Sequence, residues 1–159
     1  MLEGLATMDL AARLGSALVI GSAIGLDRDL RNKPAGMRTQ ALVALGAAVI
    51  TIACINASGP RDPGAVSRVL QGIITGVGFL GGGVILHAGD REGAVVGLTT
   101  AASVWVVACL GAACGAGQWE LGLLGAALSL AVLKLGHPFE KAIERIFRRR
   151  PAAPSKTVL

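Results

Sequence analysis

Charge is scarce in this chain. Aspartate, glutamate, lysine and arginine together make up 16% of its 159 residues, and the mean hydropathy is +0.64. A soluble domain cannot cover its surface from so few charges, so the composition reads as an integral membrane protein. The three cysteines, Cys54, Cys109 and Cys114, lie in apolar runs without metal-ligand spacing. They read as small buried hydrophobes and imply no disulfide framework. The two histidines, His87 and His137, stand singly near the ends of apolar runs. No His/Glu metal motif occurs, and no serine or cysteine has an evident base nearby in sequence. The expectation is therefore a protein that is not an enzyme and carries no cofactor.

No charge stands between Arg38 and Arg61, between Arg68 and Asp90, or between Glu92 and Glu120. Each run can cross a hydrocarbon core, which takes about 20 helical residues. Two further spans, near 10–26 and 121–136, carry Arg13 and Lys134 close to one end, where long cationic side chains can snorkel to the interface. The expected fold is all-α: a polytopic membrane bundle of about five transmembrane helices. Residues 1–136 form the membrane domain, 137–150 a basic amphipathic helix and 151–159 a disordered tail. The flank Met1-Leu2-Glu3 has no positive charge, so the first span is expected to stay as an anchor.

The net charge of +5 does not point to nucleic acid, because the cations sit in short segments beside spans. Arg28, Arg31, Lys33 and Arg38 fill the first loop, Arg91 lies in the third, and Lys141, Arg145 and Arg148 to Arg150 lie in the tail. The second loop holds only Arg61 and Arg68, and the fourth holds none. The positive-inside rule then places the N-terminus outside and the C-terminus in the cytoplasm.

The first loop is the densest in unlike charges. Asp27 and Arg31 are four apart with the acid first, the better order for a helical pair. Lys33-Pro34-Ala35-Gly36 suits a type I turn, and Thr39 is placed to cap the second span. Glycine, by contrast, is abundant at 23 residues, with pairs four apart at Gly21/Gly25, Gly72/Gly76, Gly78/Gly82 and Gly111/Gly115. Such pairs let helix backbones approach closely in lipid. The third span holds Gly72, Gly76, Gly78, Gly81, Gly82 and Gly83, and either stays helical or breaks where protein or a polar cavity satisfies its backbone. Its Gly76-Val77-Gly78-Phe79-Leu80-Gly81 has the letters of the dinucleotide fingerprint but lacks the strand–helix setting and the following acid.

In the fourth span, Thr99, Thr100 and Ser103 either bond back to their own helix or line a polar crevice. Trp105 lies mid-span, and Arg13 needs a partner if it faces inward. In the tail, Phe139, Ile143, Ile146 and Phe147 share one helix face, the pattern of a basic helix on anionic lipid.

Three motifs occur in order: Ile20-Gly21-Ser22-Ala23-Ile24-Gly25-Leu26-Asp27-Arg28 with Pro34-Ala35-Gly36-Met37-Arg38-Thr39, then Gly76 to Leu86, then Gly97-Leu98-Thr99-Thr100-Ala101-Ala102-Ser103-Val104-Trp105. Together they resemble the MgtC/SapB family of bacterial membrane proteins over residues 13–135. The family usually has glutamate at Asp27 and alanine at Gly82, and its best-known members carry a cytoplasmic ACT-like C-terminal domain, so this chain resembles a short form.

The resemblance implies a multi-pass protein of the inner membrane with an accessory role in magnesium homeostasis, membrane potential or virulence-type stress adaptation. Its implied partners, besides the bilayer, are ATP synthase or another membrane protein, with homo-oligomer formation left open. The alternative is a small ion or solute transporter with a site between the third span and an Asp27/Arg38 cluster. The residues expected to matter are Arg13, Asp27, Arg28, Gly36, Arg38, Thr39, Gly78, Gly81, Thr99, Thr100, Ser103 and Trp105.

Overall fold

In the computed structural model, which describes residues 2–58, 63–87 and 97–147, the chain forms five helices and, among the described residues, no strand. They are α1 (Leu2–Leu30), α2 (Met37–Ser58), α3 (Pro63–His87), α4 (Leu98–Gly115) and α5 (Trp119–Phe147). All five are long and apolar enough to cross a membrane. The shortest, α4, has 18 residues and rises about 27 Å, close to the thickness of a hydrocarbon core.

Helix α4 is the hub, in contact with each of the other four. One core cluster joins Ala17, Ile20 and Ile24 of α1 to Ala44 and Ala48 of α2, Val107, Leu110 and Cys114 of α4, and Ala126 of α5. A second joins Ala47, Val77, Val104, Ala108 and Ala112 on the α3 side.

Glycine makes the central contacts possible. A Cβ at Gly21 would come within 2.6 Å of the Gln40 carbonyl oxygen, and one at Gly115 within 2.6 Å of the Ala48 carbonyl oxygen. At Gly111 it would run into the backbone of Ala44. The alanine face of α2 is thus gripped by α1 on one side and by α4 on the other, at distances only glycine permits.

Helix α3 is different. It touches only α2 and α4 among the described elements, burying Val77 and setting Gly81 against Ala101. The span stays one unbroken α-helix despite its glycines, so of the two forms open from sequence it takes the helical one. Lipid explains this, since an opened helix would strand backbone groups where no water can reach them.

Two turn expectations change. Ala35 has φ 57°, which excludes the type I turn, because that turn needs a negative φ at its third residue. Thr39 lies inside α2, not at its cap. The Asp29 carboxylate instead accepts the Met37 amide at 2.9 Å, capping α2 from the end of α1. Helix α5 continues from the last span through Pro138 to Phe147 as one element of 29 residues, about 43 Å long, with Phe139, Lys141, Ile143 and Arg145 exposed. Residues 148–150 and the tail 151–159 lie outside the described residues.

Candidate functional site: a polar cluster among three spans

Among the described residues, six polar or charged ones are buried in the bundle: Asp27, Arg28, Gln40, Thr51, Thr100 and Ser103. Thr51 satisfies itself locally by donating to the Ala47 carbonyl one turn back. The other five gather where α1 ends, α2 begins and α4 begins.

Gln40 Nε2 donates to Ser103 Oγ at 3.0 Å, and Ser103 Oγ donates in turn to the Thr100 carbonyl at 2.8 Å. The Arg28 guanidinium donates through Nη2 to Thr100 Oγ1. A chain of hydrogen bonds therefore runs from α2 through one turn of α4 to α1. Close helix approach sets this up, because Gly25 lies against Met37 and Gly21 against Gln40, leaving no room for side chains between α1 and α2.

Asp27 pairs with Arg31 four residues on, as the sequence predicts. The nearest approach is 3.1 Å to Oδ2, but the well-directed hydrogen bond goes to Oδ1 at 3.2 Å. Asp27 Oδ2 is consequently buried without a hydrogen-bond partner, as are Arg28 Nε and Gln40 Oε1. Three such atoms in one cluster is a departure from the near-complete pairing of buried polar groups. An ionisable residue buried among membrane spans, as Asp27 and Arg28 are, marks a candidate functional site.

The other expected residues fall outside this cluster. Arg38 and Thr39 are exposed on the first turn of α2, so the anticipated Asp27/Arg38 grouping is replaced by Arg28, Gln40, Thr100 and Ser103. Thr99 is exposed, Trp105 is 43% exposed on the outer face of α4, and Gly78 has open space around it. Gly36 serves the loop: a Cβ there would strike the Asp29 carboxylate that caps α2. At the opposite end of the bundle, Arg13 turns inward and finds partners, donating from Nε to Asp9 at 2.8 Å and from Nη1 to the Gly115 carbonyl at 3.1 Å. A cation there also complements the C-terminal end of the α4 dipole.

Sequence reasoning missed Gln40 and Asp29. Gln40 had a signal, as it is the last polar side chain before Thr51 in an otherwise apolar stretch. A lone amide inside a span is costly unless it bonds to another helix. Asp29 had none, because its partner lies across a turn whose shape depends on two positive φ values, at Asn32 and Ala35.

Five membrane-length helices held by glycine contacts and an interhelical polar cluster define a multi-pass membrane protein. A profile of the MgtC family matches residues 14–142, and the chain belongs to that family. It is 45% identical over 116 residues to protein SrpB of Synechococcus elongatus, covering 68% of this chain and 64% of that one. To protein MgtC of Brucella abortus it is 38% identical over 142 residues, 89% of this chain and 57% of the other. With protein SapB of Bacillus subtilis it shares 43% identity over 116 residues, 68% of this chain and 48% of the other. The chain thus spans roughly half to two thirds of these relatives. No solved structure matches it significantly.

Proposed function

We propose that this protein is an accessory subunit of the membrane that acts by binding another membrane protein, with its N-terminus outside and its C-terminus in the cytoplasm of a bacterial inner membrane. The observation that carries the reading is the outer face of α3. Gly72, Gly76, Phe79 and Gly83 fall on one face by their spacing, away from buried Val77 and Gly81. No described residue comes within 4 Å of a Cβ placed at Gly72 or Gly76, and Phe79 is 85% exposed. Elsewhere in this fold, glycines four apart serve close helix contact, and here the same pattern faces outward beside an aromatic knob.

Membership of the MgtC family, whose relatives include the Brucella MgtC, supports a role in magnesium homeostasis, membrane potential or stress adaptation of the virulence type. ATP synthase is the first partner to test.

A photo-reactive phenylalanine analogue at position 79, in the protein expressed in a bacterial membrane, tests this. The reading expects a cross-link to one membrane protein that Gly76→Leu abolishes, with no such product from position 105. Adducts to lipid alone would oppose it. The second reading, a small transporter, is favoured by the three unpartnered buried polar atoms, and ion flux separates the two.

A further inference from the structure

The cluster holds a guanidinium that, among the described residues, has no ion pair of its own, although the charge of Asp27 acts on it at longer range. Arg28 is 4% exposed, and among the described residues the ion pairs are Arg13 with Asp9 and Arg31 with Asp27. Asp27 is thus taken by Arg31. Arg28 reaches α4, where Nη2 donates to the neutral Thr100 hydroxyl, and its Nε is buried without an acceptor among the described residues. A planar fork of five donors in a membrane setting wants an oxyanion.

What it reaches is itself suited to an anion. Thr100 is the third residue of α4, an 18-residue helix. The residue before that helix is Gly97, with φ 97° and no side chain to cap it. The first intrahelical bond of the helix is Ala101 N–H to the Gly97 carbonyl, so the amides of Leu98, Thr99 and Thr100 have no acceptor within the helix. These amides and the positive end of the helix dipole favour negative charge beside the Arg28 fork.

A groove of about 290 Å³ meets this helix end. Ile24 of α1, Thr99, Ser103 and Val106 of α4, and Leu128 and Val132 of α5 are among its walls. It is apolar along most of its length, and its α4 wall begins at Thr99, in the first turn of the helix. A groove that accepts hydrocarbon and ends beside an anion-seeking helix terminus matches one kind of molecule, an acyl chain carrying a phosphate.

We propose that the N-terminal turn of α4 and Arg28 bind the phosphate of a phospholipid from the adjoining leaflet, whose acyl chain lies in the groove between α4 and α5. The inference is independent of the partner-binding reading of α3. Free inorganic phosphate or a soluble phosphate ester shares the headgroup chemistry, and the groove is what favours the lipid.

The test is lipid titration of the purified full chain in detergent, read by native mass spectrometry. Phosphatidylglycerol is the probe, diacylglycerol is the phosphate-free control, and excess inorganic phosphate is the competitor. The expected result is that phosphatidylglycerol binds at least tenfold tighter than diacylglycerol, about the loss of one charge-assisted hydrogen bond. Arg28→Gln and the groove-filling Ala102→Phe should each weaken it by a similar factor, and inorganic phosphate should not compete. Should Arg28→Gln fail to fold, Thr100→Val together with Ala102→Phe carries the test, since Ala102 is an exposed groove residue. Unchanged phosphatidylglycerol binding in these folded variants would overturn the proposal. Competition by inorganic phosphate with no effect of Ala102→Phe would overturn the lipid and leave a soluble oxyanion at the same residues.

Discussion

Gln40, on the first turn of α2, and Ser103, on the second turn of α4, are 63 positions apart in sequence and joined by a 3.0 Å hydrogen bond, buried near the ends where both helices begin. This bond links two spans at the level where Arg28 links a third. An interhelical bond in lipid contributes about 0.6 kcal/mol on average and up to about 1.7, because the separated helices also find partners. Gln40→Leu also removes the unpartnered Oε1, so its net cost should be small. The pair itself should show in a double-mutant cycle of Gln40→Leu with Ser103→Ala, as a coupling of about 1 kcal/mol measured by reversible unfolding in bicelles.

Glycine substitutions should divide sharply by position. Gly111→Val places its side chain into the Ala44 backbone and should destabilise by at least about 2 kcal/mol, or prevent folding, because neither backbone can give way. Gly76→Ala meets open space and should be neutral or slightly stabilising, since alanine is the better helix former. Thermal melting in detergent checks both, and equal losses would contradict the packing described.

Asp29 and Gly36 form one device. Asp29→Ala removes the cap on α2 and should cost about 1 kcal/mol, whereas Asp29→Asn, which keeps an acceptor, should cost less. Gly36→Ala drives a methyl into the same carboxylate and should resemble Asp29→Ala, with little further loss in the double variant. Additive losses would mean that the two act separately.

Arg13→Leu should destabilise the end of α4 opposite the polar cluster, while Asp9→Ala should have little effect. The Arg13–Asp9 pair is an exposed i,i+4 contact worth no more than about 0.5 kcal/mol, whereas the bond to Gly115 ties α1 to α4. Hydrogen exchange at the amides that follow Gly115 reads the difference.

The membrane class and the five spans were legible in uncharged runs, because the bilayer demands long apolar helices and little else. The Asp27–Arg31 pair was legible for a similar reason, as both residues lie on one helix at a fixed spacing. Legibility stopped at contacts between helices. Arg38 and Arg28 look alike in sequence, yet Arg28 turns into the bundle while Arg38 stays exposed on the first turn of α2. Thr99 and Thr100 are adjacent and equally polar, yet a rotation of about 100° per residue puts one on the surface and the other under Arg28. The thirteen glycines in α1, α3 and α4 likewise gave no sign of which pack inward, since that depends on the partner helix.

The central claim is that this protein binds a membrane partner and does not itself conduct ions. Ion flux and membrane potential in proteoliposomes containing only the purified chain, screened across magnesium, potassium, sodium and protons, test it most directly. The account predicts no saturable flux from protein whose folding is confirmed in the same vesicles. Saturable flux of any of these ions, abolished by Arg28→Gln in folded protein, would contradict it and make the buried polar cluster a transport site.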